Sequence, residues 1–448
     1  MIQRNIFVDF ARTSGKMKAV NCVNGGPLFY DNLEFSLVKE YREIRPPYVR
    51  TYGMHSERFV DIHAVFPDFN LDPRFEGSYN FAPTDKLLSA IKEAGAEIYL
   101  RLGESRQDYE IKRYNRPPLD YEKWASIAEH VIAHYNQGWG GRMKLGIKYV
   151  EIMCDVDDPC GWCGTPEEYY RLYTLVAKRL KEKFPRLRVG AYSSGGFYSL
   201  NHYGATEKQK GYINFLEGFL SYVTGKDTAA PLDFFSWKCL AETPEELSLH
   251  SSYARNYLNQ YGLRKTQSII SEFNLASRNP SGQYLERDYP SKLISSLIIA
   301  EKSDAAMMFY SDLCPHSEKN ALYSPEDKLK VHTYSAYRAL RAFGELSALG
   351  KTVESTEDYR HAIYSLATTD GERGAVIVAT RDYNGIIEIS LRGASFSTYS
   401  ITGIVGGGDR GDGFFTSMEN LPVGDGKIKM RAGKNEVYLI TLSPFVEK

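Results

Sequence analysis

At 448 residues the chain is long enough for one large domain and a smaller one, each with its own core. With 55 basic against 56 acidic residues the net charge is −1, which leaves no field to draw in nucleic acid or an anionic membrane. No run approaches the roughly 18 apolar residues of a membrane span, and six cysteines are too sparse for a disulfide scaffold. The stretch from Met1 to Phe10 reads as a strand. It lacks the basic start and long apolar segment of a leader peptide, so a cytoplasmic chain is expected; a secreted chain trimmed of its leader would look the same. Oligomeric state is left open.

Short apolar strands alternate with amphipathic helices along most of the chain. Residues 18–23 form a strand that ends at the turn Asn24-Gly25-Gly26-Pro27, and a helix over about 35–44 leads to a second strand, 48–52. Leu87, Leu88 and Ile91 recur at helical spacing over 86–94, with Gly95 as the stop. Strand three, 97–102, ends Gly103-Glu104-Ser105, and a helix over 121–135 carries Trp124, Ile127, Ala128, Val131 and Ile132 on one face. Strand four, beginning at Tyr149, runs into Cys154-Asp155-Val156-Asp157-Asp158-Pro159. Thr165-Pro166-Glu167-Glu168 then opens a long helix with the signature of a capping box and Pro at the first helical position.

Strand five spans 187–192, followed by a helix near 212–222; strand six spans 232–237. A second Thr-Pro-Glu-Glu, at 243–246, opens the helix that runs to 261. Strand seven, 268–272, ends in Glu272, strand eight spans 306–310, and a last helix covers about 328–343. Eight strand–helix units predict an α/β fold, a (β/α)8 TIM barrel over 16–345. From about residue 351 short alternating segments sit between Gly/Asp turns, which predicts a C-terminal β-sandwich over 346–448 joined by residues 1–15.

In such a barrel the functional groups stand at the strand C-termini. Those positions hold Asn24, Arg50, His55, Glu104, Asp155, Lys238, Glu272 and Asp312. Glu272 and Asp155, ending strands seven and four, are placed to be the two carboxyl groups of a retaining glycosidase, which stand roughly 5 Å apart. Glu272 suits the nucleophile and Asp155 the acid/base, although Asp is one methylene shorter than Glu. Asn24, Arg50, His55, Glu104, Lys238 and Asp312 are expected to line the sugar pocket. At Lys238 an ammonium paired with Glu272 or a uronate is expected over a neutral amine. Glu151 should lie inside the barrel, paired with an arginine such as Arg101.

Arg50-Thr51, Phe66-Pro67-Asp68-Phe69, Arg101-Leu102-Gly103-Glu104-Ser105 and the helix after Gly164-Thr165 together resemble glycoside hydrolase family 39, over nearly the whole chain. That family includes β-xylosidases and α-L-iduronidase, and the resemblance implies a retaining barrel hydrolase acting on an oligosaccharide or glycoside without a metal or other cofactor. Its strand four ends Asn-Glu-Pro and its strand seven ends in the nucleophile Glu, which Glu272 matches. Here the strand-four motif is Cys154-Asp155-Val156, and Lys238 stands where the family has His. These departures keep a second class open, a carbohydrate-binding protein that has lost turnover. A third follows from Cys22, Cys154, Cys160, Cys163, Cys239 and Cys314, all expected on the functional face, where thiolates could hold zinc. Trp139 and Trp162 fit sugar platforms and packing residues equally.

Overall fold

Strands Ala19–Asn24, Tyr48–Arg50, Glu97–Leu102, Tyr149–Ile152, Arg188–Ser194, Phe234–Ala241, Gln267–Leu275 and Ala305–Tyr310 pair in that order and close into a parallel barrel in the computed structural model. The structure describes residues 2–29, 33–52, 56–107, 113–141, 143–201, 204–275, 287–311, 323–327, 330–393, 396–406 and 415–444. Helices cover the outer face of each strand, so strand residues are buried on both sides and read as near-continuous apolar runs. Toward the strand N-termini the interior is filled by Tyr99, Tyr149, Phe234, Ile269, Met307, Phe309 and Cys22. Cys22 therefore lies in the packed floor, away from the functional face expected for it.

Helix ends follow local chemistry. Helix Pro166–Lys183 is closed by the predicted box: Thr165 accepts from the Glu168 backbone, and the Glu168 side chain accepts from the Thr165 backbone. Thr206 and Gln209 build another such box at helix Glu207–Thr224. Thr243 differs. It occupies the N-cap position of helix Pro244–Gln260 but makes no side-chain capping bond, and Glu246 instead accepts from Glu242 N and Asn201. Helix Tyr289–Lys302 is absent from the sequence-based reading because it is buried nearly all round, leaving no amphipathic period to detect. The last helix begins at Ser335, later than expected. Among the described residues no helix is long and apolar enough to cross a membrane.

A nine-stranded mixed sheet packs beside the barrel. The N-terminal strand Gln3–Lys16 lies within it, antiparallel to Lys351–Ser355 and parallel to Gly385–Arg392. Strand alternation splits its residues between two cores. Ile363, Ala367, Val376 and Val378 join Ile401, Ile428, Met430 and Ile440 in an inner core. Because strands from both ends of the sheet share that core, the sheet curls back on itself into a sandwich-like body. Tyr364, Leu366, Ala375, Ile377 and Leu439 face the other way, into the barrel's own core, against helices Tyr289–Lys302 and Ser335–Ser347.

Candidate active site

Strand seven and strand six run side by side, with Ile270 opposite Trp237 but Glu272 opposite Lys238. The intervening Ser271 is thus an extra residue, a bulge of the kind that re-aims a strand-end side chain. Ser271 is pinned there: its carbonyl accepts from Asn24 Nδ2 at 2.8 Å and its hydroxyl meets Ser193 Oγ at 2.9 Å. Beyond the bulge, Glu272 Oε2 lies 2.9 Å from Lys238 Nζ.

Asp155 reaches the same ammonium from strand four. After Ile152 the chain takes positive φ at Met153 (61°) and again at Asp155 (56°), a sparsely populated region for residues other than glycine. Backbone bonds from Met153 N to Leu102 O and from Asp155 N to Tyr192 O, both 2.8 Å, hold this path. Gly161 is required beneath it, since a Cβ there would collide with the Asp155 carbonyl. The result sets Asp155 Oδ1 2.7 Å from Lys238 Nζ, while Oδ2 accepts from the Tyr52 hydroxyl at 2.6 Å.

Lys238 therefore bridges the two carboxylates. Burial alone would lower its pKa, but Asp155 and Glu272 outweigh that and hold it well above the ordinary lysine value, so it is an ammonium. Its charge also lies 5.3 Å from the Tyr52 ring centroid. Burial, then the Asp155 charge, pushes the Tyr52 phenol up, so it donates as a neutral hydroxyl. Tyr52 is a site residue that the sequence reading missed; its signal was its place two residues after Arg50 at the end of strand two.

Below the carboxylates lies a second charged layer. Glu151 accepts from Arg50 Nε at 3.0 Å and Nη2 at 2.5 Å, and from Tyr99 and Ser236 hydroxyls at 3.2 and 2.6 Å. Its partner is thus Arg50 and not Arg101, which pairs with Asp61 at 2.6 Å. Arg50 is fully buried and its Nη1 donates to Asn24 Oδ1. Arg50 and Asn24 consequently support the strand ends from beneath instead of lining a sugar pocket. Glu104 is also enclosed, bonded to the His63 backbone N–H at 3.1 Å and to its ring Nδ1 at 2.5 Å. Burial pushes Glu104 up to about 7, against the pull of His63. His55 and Asp312 lie outside the described residues.

Among the described residues the cysteines do not assemble a metal site. Cys154 is buried beside the Glu104 carbonyl, Cys163 is exposed, and Cys22, Cys154, Cys160, Cys163 and Cys239 are all free thiols; Cys314 lies outside the described residues. Among the described residues the convergent metal-ligand atoms are those of Asp61, His63 and Glu104. Arg101 and Ser105 already occupy Asp61. Trp162 is buried with its indole N–H on Thr165 O, and Trp139 packs edge-on to Tyr79 and Phe81, so both are packing residues.

A cavity of about 420 Å³ opens beside Asp155 and Lys238, and its wall includes Asp157, Tyr198 and Tyr212. Asp158, on the same wall, is bound by Lys208 and the Cys160 N–H; burial works against its ionisation, but these partners hold it down at about 2. A cavity of about 560 Å³ by Arg431 and Lys434 lies on the curled sheet, and neither Asp155 nor Glu272 borders it.

No family model matches the chain. A β-xylosidase of Geobacillus stearothermophilus is 23% identical over 201 residues, covering 39% of this chain and 39% of that enzyme. A glucosidase from Croceicoccus marinus superposes with a TM-score of 0.77 at 19% identity, over 100% of both chains. A family 39 β-xylosidase from Caulobacter crescentus superposes with a TM-score of 0.70 at 14% identity, over 98% of this chain and 100% of that one. In fold over its full length, and in sequence over part of it, this chain is similar to barrel glycoside hydrolases, a family 39 β-xylosidase among them.

Proposed function

We propose that the chain hydrolyses a glycoside by a retaining double displacement, with Glu272 as the nucleophile. The observation that carries this reading is the shared ammonium. Lys238 Nζ lies 2.7 Å from Asp155 and 2.9 Å from Glu272, so the two oxygens can be no farther apart than the sum of those distances. Retaining enzymes space their carboxyl groups by roughly 5–5.5 Å, whereas inverting ones need roughly 6.5–9.5 Å to admit a water. Glu272 attacks the anomeric carbon, and Asp155, at the position of the family's acid/base, protonates the departing oxygen. Water then releases the sugar. The likeness to β-xylosidases and a glucosidase supports a small sugar such as xylose or glucose at the cleaved bond.

One feature favours a second reading, binding without turnover. The Lys238 ammonium occupies the space between the carboxylates, where the reacting carbon of a substrate would sit, and it must move aside for catalysis. Hydrolysis of nitrophenyl xyloside, glucoside, arabinosides, galactoside, fucoside and glucuronide by wild type and Glu272→Gln separates the two. Release that disappears in Glu272→Gln is expected. Calorimetric binding of the free sugars with no release from any glycoside would replace this reading with the second.

A further inference from the structure

The cavity of about 420 Å³ borders Asp155 and Lys238 but not Glu272. In a retaining hydrolase the two carboxyl groups flank the bond that breaks: the nucleophile attacks one face of the anomeric carbon, and the acid serves the oxygen departing from the other. A space that the acid/base position borders and the nucleophile does not is therefore on the leaving-group side. Its volume falls within the roughly 300–1,000 Å³ of small-molecule sites.

Two consecutive glycines seat the aromatic walls of this cavity. A Cβ on Gly195 would lie 2.3 Å from the Tyr212 ring, and one on Gly196 would lie 2.6 Å from the Lys238 carbonyl and 3.0 Å from the Tyr198 ring. Gly196 also has φ of 101°, which other residues rarely adopt. Both rings thus close directly on the backbone that follows strand five. Tyr198 is fixed further by a bond from the Leu240 N–H to its hydroxyl at 2.5 Å. Gln209, on the same wall, accepts from Thr206 N through Oε1 at 2.9 Å, so the donors it presents are those of Nε2. Rings with polar groups at their edges suit a sugar, which has apolar C–H faces and a rim of hydroxyls.

The charges around the cavity are already matched. Arg106, at 3.5 Å, and Lys208 both pair with Asp158, while Lys238 pairs with Asp155 and Glu272. Three cations meet three carboxylates, and Asp157 can only add negative charge. Among the described residues no surplus cation remains on this wall for a carboxylate or sulfate, so an acidic ligand would be disfavoured.

We propose that this cavity is the leaving-group subsite and that it takes a neutral sugar unit, which makes the substrate an oligosaccharide and not the glycoside of a small alcohol. The assignment rests on the hydrolase reading above and adds the residues that choose the leaving unit: Tyr212, Tyr198 and Gln209. A free sugar bound there can also replace water in the second step. Its hydroxyl oxygen bonds to the anomeric carbon, its proton passes to Asp155, and the bond from that carbon to Glu272 breaks.

The test uses the sugar that the nitrophenyl panel identifies, as its glycosyl fluoride, its methyl glycoside, and disaccharides with a neutral or a uronic-acid leaving unit. Fluoride is a single atom and leaves the cavity empty, whereas the disaccharides fill it. Tyr212→Ala removes one wall. Leu240→Trp narrows the cavity from a side chain that is 45% exposed, so it carries the test should Tyr212→Ala fail to fold. Each is expected to lower the ratio of neutral-disaccharide to fluoride kcat/KM by about 10-fold, the scale of one aromatic contact. Each should also reduce transfer from the fluoride to added xylose or glucose. A ratio unchanged in a folded variant that still cleaves the fluoride would overturn the subsite and leave the hydrolase reading standing. Wild type that prefers the uronic-acid unit, or that cleaves the methyl glycoside as well as the neutral disaccharide, would overturn the neutral sugar. Wild-type silence on the fluoride and on every nitrophenyl glycoside would remove the hydrolase reading and this one with it.

Discussion

Glu272 Oε2 stands 2.9 Å from Lys238 Nζ because the bulge at Ser271 brings these two residues opposite one another on adjacent strands. The same ammonium holds Asp155, so one largely buried cation balances two carboxylates. Removing one partner of a buried ion pair costs about 3–5 kcal/mol, since the charges left behind lose both solvent and counter-charge. Lys238→Met is therefore expected to destabilise the fold by about 3 kcal/mol in urea unfolding at neutral pH. A melting curve unchanged from wild type would mean that the ammonium is not balancing these acids.

The two Thr-Pro-Glu-Glu segments look alike in sequence and differ in the structure. Thr165 caps its helix reciprocally with Glu168, whereas Thr243 makes no capping bond. Loss of a working N-cap costs about 1 kcal/mol. Urea unfolding should show that loss for Thr165→Ala and a change of only a few tenths of a kcal/mol for Thr243→Ala, within the range of surface substitutions. Equal effects would contradict the difference.

Glu301 supplies a pH dependence away from the site. Burial pushes its carboxyl from an ordinary 4.5 up to about 7, while the Lys18 backbone N–H and charge pull the other way. Between those values the folded state holds more protons than the unfolded state, so this group's contribution falls as pH rises across the window. Glu301→Gln should gain stability relative to wild type from about pH 4.5 to about pH 7 and level off above it. A difference independent of pH would show that the carboxyl titrates alike in both states.

The barrel was legible because its strands are apolar runs ending in polar or charged residues, and seven of its helices carry an amphipathic face or a capping signal. Helix Tyr289–Lys302 was not, since burial on all sides erases the period. At the site, strand ends could be named but not the distances across the barrel. Sequence alternation put Glu151 inside, yet register decided that Arg50 and not Arg101 reaches it. Asp157 carried a weak signal as one of three acids in Asp155-Val156-Asp157-Asp158. Only the fold shows that Asp158 is neutralised by Lys208 while one Asp157 oxygen has no hydrogen-bond partner among the described residues.

The most direct test of the account is to trap the covalent intermediate. A 2-deoxy-2-fluoro glycosyl fluoride slows both steps, and a good leaving group lets the glycosyl-enzyme accumulate. After incubation with the xylosyl and glucosyl reagents, peptide mass mapping should place one fluorosugar on the peptide that carries Glu272, and Glu272→Gln should remain unlabelled. Label on Asp155, Asp157 or a cysteine, with Glu272 unmodified, would contradict the retaining mechanism assigned to Glu272.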